Sequence, residues 1–268
     1  MAKSSTTTVL CLGDIVARPG KAFLRKKLKA LRETYGASLV VVNGENAAGG
    51  IGLDKESANT IFHAGADVIT LGDHAWNKRG VETLLEEQSA RIIRPANYPE
   101  APGKGYTVFK TSSGVKVGVM NLIGRVFMNF SLDCPFKEAD RILAGPLKNC
   151  ALIVCDMHAE ATSEKVAMGH YLDARVSMVY GTHSHVQTAD EQILPGGTAY
   201  ITDLGMCGCS EGVIGMDSDV ALFRMTSGRP RSYKAAKGRV MLNGIVATFD
   251  NNNGRALSIE RIRLEGMV

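Results

Sequence analysis

The segment Val9-Leu10-Cys11-Leu12-Gly13-Asp14 is a short apolar run that ends in a glycine and a carboxylate. Runs of this length, bounded by glycine, are typical of strands that are buried on both faces. The pattern recurs four more times along the chain, and each later run also leads into a tight group of polar side chains. Those four groups are Asn43-Gly44-Glu45-Asn46, Gly72-Asp73-His74, Asp156-Met157-His158 and Gly181-Thr182-His183-Ser184-His185.

The five polar groups together predict one shared site. In open α/β sheets, the crevice beyond the carboxyl ends of the strands is the usual place for chemistry. Oxygen and imidazole side chains suit Mn, Fe or Zn rather than soft-metal or haem chemistry. Four of the six histidines lie in these groups, whereas His63 and His170 fall inside predicted helices and take a structural interpretation. Each group is a weak signal when taken singly, but the combination predicts a metal centre.

Size and composition are those of an ordinary globular protein. The 268 residues can bury a large core. We expect one domain over residues 1–268, because the polar groups span Asp14 to His185 and must meet in space. A hydrophobic fraction of 45% and a charged fraction of 22% say nothing about function. The net charge of +4 mildly favours anionic substrates but is too small to predict a stable nucleic-acid complex.

Cysteine usage and hydropathy predict a location in the cytoplasm. The six cysteines show no CxxC spacing, the N-terminus does not look like a secretory leader, and no apolar run approaches membrane-spanning length. We therefore expect reduced thiols and no membrane partner. Cys207 and Cys209 cannot make a closed tetrahedral site alone and are interpreted as small loop residues. The number of subunits stays open, and a homo-oligomer is compatible with the sequence.

The stretch from Arg229 to Lys237 is basic and contains one tyrosine. Two interpretations stay open for it. It is either a loop near a substrate entrance or simply an exposed segment, and the exposed segment is favoured because charged runs are usually solvated.

Hydrophobic periodicity predicts alternating strands and helices in the first half of the chain. Helices are predicted over residues 21–35, 54–64, 78–88, 136–144 and 163–170, with Asp54 as a capping residue. Beyond His185, short strands are predicted over residues 192–194, 198–202, 220–225, 239–249 and 257–264. Asn251-Asn252-Asn253-Gly254 indicates a hairpin between the last two. A mainly parallel first half and a hairpin-rich second half predict two packed sheets with helices outside.

The spacing within the polar groups limits how they can bind metal. His183 and His185 are two apart, so in an extended segment they project to the same side and serve either one metal or one each of an adjacent pair. Glu45 and Asn46 would diverge on a strand and can both face a site only if the chain turns there, which Gly44 permits. A carboxylate such as Glu45 can bridge two cations about 3.5–4 Å apart. The ligands suffice for two metals with open positions, as in catalytic sites.

Longer segments around these groups resemble the calcineurin-like metallophosphoesterases, in particular the bacterial YmdB-type branch. The segments that carry the resemblance lie at residues 13–14, 43–48, 72–74, 94–97, 158–165, 181–190 and 200–206. The resemblance implies an α/β fold, a four-layer α/β/β/α sandwich of two packed mixed sheets with outer helices. It also implies a dinuclear metal centre that hydrolyses phosphodiesters, with 2′,3′-cyclic nucleotides as the substrate class.

Carried over residue by residue, the resemblance implies two sets of metal ligands and one acid. One metal would be held by Asp14, Glu45, Asn46 and His185. The other would be held by Glu45 as a bridge, Asp73, His158 and His183. Fe or Mn, or both, are the expected ions, with Zn as an alternative. His74 would be left unligated, and would protonate the departing ribose oxygen when a metal-bound hydroxide attacks phosphorus.

Asp73 is a departure, because the family usually has Asn at this position. Three carboxylates, two divalent cations and a bridging hydroxide would leave a neutral centre, against one positive charge with Asn. A weaker attraction for a phosphodiester monoanion, or a preference for a trivalent ion, would follow.

Two other functions stay open from the sequence. The same pair of metal ions could act on phosphomonoesters, as a nucleotidase does. Alternatively, the protein could be a regulator that binds a nucleotide without hydrolysing it.

Overall fold

Strands and helices alternate through the computed structural model, which describes residues 5–268. Its helices are α1 (Ala17–Tyr35), α2 (Lys55–Ala64), α3 (Val81–Glu87), α4 (Pro135–Ala144), α5 (Thr162–Leu172) and α6 (Ser218–Ser227). Its strands are β1 (Thr6–Leu12), β2 (Asp14–Ile15), β3 (Leu39–Asn43), β4 (Val68–Thr70), β5 (Ile92–Ile93), β6 (Tyr106–Lys110), β7 (Lys116–Ile123), β8 (Leu152–His158), β9 (Met178–Thr182), β10 (Gln192–Ile193), β11 (Ala199–Ile201), β12 (Met206–Cys209), β13 (Val240–Asp250) and β14 (Ala256–Gly266).

The first sheet combines strands from both ends of the chain. Its order is β2-β12-β13-β1-β3-β4-β5, and β14 pairs with β13. Strands β1, β3, β4 and β5 are parallel to one another, whereas β13 runs antiparallel to β1. The parallel strands therefore end at one edge of the sheet, where Asp14, Glu45 and Asp73 follow them.

The second sheet is built from the middle of the chain. Its order is β10-β11-β9-β8-β7-β6. The four central strands are parallel, and β6 and β10 pair antiparallel at the two edges. His158 is the last residue of β8, and His183 directly follows β9.

Three layers of buried apolar side chains hold the two sheets and the helices together. Between the sheets, Val9 and Val41 pack with Val119 and Val154. The outer face of the first sheet packs on α1, α2 and α3, and that of the second sheet packs on α4 and α5. The predicted α/β/β/α order of layers is thus present, and the sheets place their carboxyl ends side by side.

The predicted helices are present with shifted ends. Asp54 caps α2 as expected, because its Oδ1 accepts a hydrogen bond from the backbone N–H of Ser57 at 2.8 Å. Gly65, with φ of 116°, ends the helix in a conformation that favours glycine. Helix α1 begins at Ala17 rather than at residue 21, so Pro19 and Gly20 lie inside its first turn.

Two expectations about the second half were wrong. Residues 220–225 are not a strand but lie in α6, because Asp217 caps a helix that ends at Gly228. Cys207 and Cys209 are buried strand residues of β12 and not loop residues. Strands β12, β13 and β14 complete the sheet that β1 begins, so the first sheet combines both halves of the chain.

Among residues 5–268, no helix has both the length and the apolar character needed to cross a membrane.

Candidate metal centre

The two sheets bring the five polar groups to one place. We call Glu45, Asp73, His158 and His183 the first cluster, and each of them offers a ligand atom within 4.8 Å of the others. His158 Nε2 lies 2.9 Å from Asp73 Oδ1 and 3.4 Å from Glu45 Oε1. His183 Nδ1 lies 3.2 Å from the same Asp73 oxygen. Two residues come from the edge of each sheet, so the cluster forms only when the sheets are packed together.

Backbone approaches this cluster closely at Gly72. A Cβ atom there would lie 2.2 Å from His158 Nε2 and 2.3 Å from Glu45 Oε2. Any larger residue would displace two ligand atoms. Gly72 is therefore required by space and not by its backbone angles.

We call Asp14, Asn46 and His185 the second cluster. His185 Nε2 lies 3.2 Å from Asn46 Nδ2 and 3.8 Å from Asp14 Oδ1. Asn46 Nδ2 also lies 3.0 Å from Glu45 Oε1, so Glu45 contacts both clusters. The turn at residues 45–50 lets Glu45 and Asn46 face the same site, as the sequence required. His183 and His185 each join a different cluster, so they do not share one position.

Each clustered histidine places its other ring nitrogen against an oxygen atom. His158 Nδ1 bonds to Thr182 Oγ1 at 2.9 Å, and Thr182 donates to the buried Asp156 at 2.7 Å. His183 Nε2 lies 3.0 Å from Glu160 Oε2. His185 Nδ1 donates to the carbonyl oxygen of Ile214 at 3.0 Å. This pattern is typical of histidines that ligate metal, because it turns the lone pair of the remaining nitrogen toward the ion.

The loop that carries His183 and His185 has an unusual backbone. Their φ angles are 100° and 64°, in the region that favours glycine. Between them, the backbone N–H of Ser184 donates to Asp203 Oδ2 at 3.2 Å. The same carboxylate pairs at 2.6 Å with Lys165, and both side chains are about 2% exposed or less. A buried ion pair therefore anchors the loop at its centre.

The electrostatics of the site call for positive charge. Burial, and then the charges of Asp73 and Asp14, raise the pKa of Glu45 well above its usual range. Burial would also raise the pKa of Asp73, but hydrogen bonds with His158 and His183 outweigh it and hold that pKa far below normal. Burial lowers the pKa of His158, which keeps its imidazole neutral. Burial lowers the pKa of His183 as well, but the hydrogen bond and the charge of Asp73 outweigh it and raise that pKa. Carboxylates crowded in this way are stabilised by a cation.

The residues fit a metal centre on two observations of the structure. Asp14 Oδ1 is fully buried and has no hydrogen-bond partner among residues 5–268. Across the first cluster, the metal-facing nitrogens of His158 and His183 lie 3.1 Å apart. A buried carboxylate oxygen without a partner is costly unless a cation binds it, and the two ring nitrogens are close enough to bind the same cation. The oxygen and nitrogen donors suit Mn, Fe or Zn.

His74 lies beside the ligands without joining either cluster. Its backbone N–H donates to Glu45 Oε2 at 3.2 Å, and its Nδ1 lies 3.5 Å from Asp73 Oδ2. The side chain is 32% exposed. It is therefore placed to contact a molecule bound over the centre.

Several supporting residues were not singled out from the sequence. Lys165, Thr182 and Asp203 are polar residues within buried segments, and each fixes the position of a predicted ligand or its loop. All three lie in the segments that carry the family resemblance. Ile214 had no such signal, because it contributes a backbone carbonyl that any residue could supply.

Comparison with known proteins finds relatives along nearly the whole chain. Residues 10–262 match a family described as YmdB-like protein. Over 255 residues, the chain is 43% identical to a Bacillus subtilis (strain 168) protein named 2′,3′-cyclic-nucleotide 2′-phosphodiesterase. That similarity covers 95% of this chain and 96% of the relative.

Two solved structures share the fold. A protein of Thermus thermophilus, described as hypothetical, is 40% identical with a TM-score of 0.90, and the similarity covers 97% of this chain and 99% of the other. A structure described as a novel phosphatase of Mycoplasma pneumoniae is 32% identical, also with a TM-score of 0.90, over 97% of this chain and 94% of the other. These similarities confirm the predicted fold class.

Proposed function

The chain belongs to the YmdB-like protein family, and from this membership we propose that it hydrolyses 2′,3′-cyclic nucleotides at a centre of two metal ions. The coarser prediction of a metal-dependent phosphodiesterase is confirmed by the relatives, one named a phosphodiesterase and one a phosphatase. The observation that carries the finer proposal is the pair of clusters that share Glu45. Since both sheets supply ligands, we propose that the whole chain acts as one domain.

Each cluster would hold one ion. Glu45, Asp73, His158 and His183 would bind the first, and Asp14, Asn46 and His185, with Glu45 as the bridge, would bind the second. Bound there, Fe or Mn ions would acidify a water molecule toward neutral pH and offset charge on the phosphoryl oxygens. The rings of the three histidines are already oriented for the ions, because Thr182, Glu160 and Ile214 contact the ring nitrogens on the opposite side.

His74 would act on the leaving group. Its Nδ1 is near Asp73 Oδ2, so its other ring nitrogen is available to a bound substrate. An imidazole can hold a proton near neutral pH and give it to the departing ribose oxygen. Asp73 would orient the ring as well as contribute to the first cluster.

The test combines elemental analysis of the purified protein with a 2′,3′-cyclic AMP hydrolysis assay. His74→Ala should keep its metals and lose roughly 10²–10⁴-fold in turnover, the usual cost of removing a general acid. His170→Ala, an exposed histidine of α5, is the matched control and should behave as the unmodified protein. Loss of metals in His74→Ala would make His74 a ligand or a structural residue instead.

Two further outcomes would contradict the proposed activity. Faster turnover of p-nitrophenyl phosphate than of bis-p-nitrophenyl phosphate would indicate a phosphomonoesterase. A tight complex with 2′,3′-cyclic AMP and no product in the presence of Mn would indicate a regulatory nucleotide-binding protein.

A further inference from the structure

A cavity of about 510 Å³ lies in the segment that includes α6, and Ile214, which contacts His185 of the second cluster, is part of its lining. Much of its lining is apolar, from Val213, Ile214, Met216, Met225 and Pro230. Arg224 and Arg229 also line it. A mostly apolar surface with two guanidinium groups suits a ligand that has both flat apolar faces and negative charge.

The cavity shares a wall with the metal centre at Ile214. The backbone carbonyl of this residue accepts the hydrogen bond from His185 Nδ1 at 3.0 Å. The neighbouring Gly215 carbonyl accepts a hydrogen bond from the hydroxyl of Tyr233 at 3.1 Å. The ring of Tyr233 in turn lies so close to Gly50, in the turn after Asn46, that a Cβ there would be 2.1 Å from a ring carbon. The cavity wall is therefore fixed to the turns that carry both His185 and Asn46.

Charge in this segment is unbalanced. Residues 211–239 contain six basic and three acidic residues. Two of the acidic residues are already paired, Asp217 with Lys234 at 2.7 Å and Glu211 with Arg239 at 3.0 Å.

Three arginines of the segment keep their charge uncompensated. Within residues 5–268, no carboxylate lies within ion-pair distance of Arg224, Arg229 or Arg231, and all three are exposed. The guanidinium groups of Arg229 and Arg231 lie 5.5 Å and 5.1 Å from the centre of the Phe223 ring. Arg224 and Arg229, which line the same cavity as Ile214, are therefore available to an anion on the substrate.

We propose that the cavity binds the nucleotide that precedes a terminal 2′,3′-cyclic phosphate, so that short oligonucleotides with such an end are substrates. This inference rests on the proposed function. The cyclic phosphate would lie at the metal centre, and the preceding phosphodiester would pair with Arg224 and Arg229. The preceding base would lie on the apolar lining, because every base has a face that stacks on apolar or guanidinium surfaces.

A mononucleotide cannot use this surface fully. The phosphate of 2′,3′-cyclic AMP is its only one, and it is needed at the metal centre. The second anion that the arginines can pair with is present in a dinucleotide. A long nucleic acid is not required, since the whole chain carries a net charge of only +4. In the reaction, one water is consumed, one ribose–oxygen bond to phosphorus breaks, and the ribose oxygen gains a proton, which leaves a terminal phosphomonoester.

The test measures kcat/KM for 2′,3′-cyclic AMP and for the adenosine dinucleotide that ends in a 2′,3′-cyclic phosphate. The unmodified protein should prefer the dinucleotide by about 10- to 100-fold, the range for one or two charge-assisted hydrogen bonds. The double variant Arg224→Ala/Arg229→Ala should lose this preference while metal content and mononucleotide turnover stay unchanged. Lys237→Ala, an exposed cation of the same segment that does not line the cavity, should keep it.

A second measurement separates this inference from the proposed function. Binding of both ligands is measured by calorimetry to metal-loaded His74→Ala protein, with and without the arginine substitutions. Tighter binding of the dinucleotide that depends on the arginines supports the inference even when turnover is absent. Equal kcat/KM and equal affinity for the two ligands would overturn it and leave cyclic-mononucleotide hydrolysis intact. If neither substrate is hydrolysed, the proposed function is overturned.

Discussion

The two clusters of the candidate metal centre are held in different ways. In the first cluster, Glu45, Asp73 and His158 follow or end strands. Carboxylate oxygens of Asp73 and Glu45 lie 2.9 Å and 3.4 Å from His158 Nε2. In the second cluster, His185 stands on a loop and lies 3.8 Å from Asp14 Oδ1. Its position depends on a carbonyl from residue 214 and on the ion pair beneath the loop. The difference indicates that strand ends position three of the four side chains of the first cluster, all but His183, whereas the second cluster depends on His185, which lies on a loop that the sheets alone do not fix.

The largest effect is expected where the two clusters meet. Glu45→Gln keeps the shape of the side chain and removes the charge that both clusters share. We expect both metal affinities to fall by more than about 100-fold, since even an indirect partner of a ligand is worth roughly 10- to 100-fold. Metal titration monitored by elemental analysis measures this. Glu56→Gln, on the exposed face of α2, is the control. Loss of only one metal would show that Glu45 is not a bridge.

The second test is Asp203→Asn, which weakens the ion pair that anchors the loop carrying His183 and His185. The substitution leaves Lys165 buried without its partner and weakens the hydrogen bond from Ser184. We expect the free energy of unfolding to fall by about 3–5 kcal/mol, and the second cluster to lose its metal before the first. Denaturant unfolding and metal titration report the two effects separately. Asp133→Asn is an exposed control. Equal loss from both clusters would contradict the contrast between loop and sheet.

Thr182→Val tests the first cluster by itself. The hydroxyl that joins His158 to Asp156 is removed with little change of shape. Metal affinity of the first cluster should fall by about 10- to 100-fold, as for other groups that orient a ligand, while the second cluster is unchanged. Thr83→Val, at an exposed position of α3, is the control. If the second metal is lost instead, the assignment of His158 to the first cluster is wrong.

The smallest change is expected from Asp73→Asn, which gives the residue that the family usually has. Removing one negative charge should lower the Michaelis constant for a phosphodiester monoanion by a factor of about 2 to 10, because attraction for an anion increases while the structure is kept. Metal affinity of the first cluster should weaken. Steady-state kinetics and metal analysis on the same preparation test both. No change in either quantity would show that the carboxylate has no electrostatic role.

Much of the centre could be predicted because parallel strands collect their carboxyl ends at one edge. Asp14, Glu45, Asp73 and His158 followed from that rule alone. The rule does not show that His183 and His185 join different clusters. Side chains two apart project to the same side only in extended backbone, and both of these residues have positive φ. Lys165 and Asp203 are far apart in sequence, so their pairing depends on packing that no local pattern shows. Helix α6 was misread because its apolar residues outweighed the capping Asp217 and the terminal Gly228.

The position of β13 has a consequence for how the protein is made. This strand pairs with β1 along the whole length of β1, from Thr6 opposite Asp250 to Leu12 opposite Gly244. During synthesis, residues 14–185, with all the ligands, leave the ribosome while β1 still has an open edge. The pairing of β1 on this side is complete only after residue 250 has emerged, so the sheet that carries Asp14, Glu45 and Asp73 gains its last strands late in synthesis.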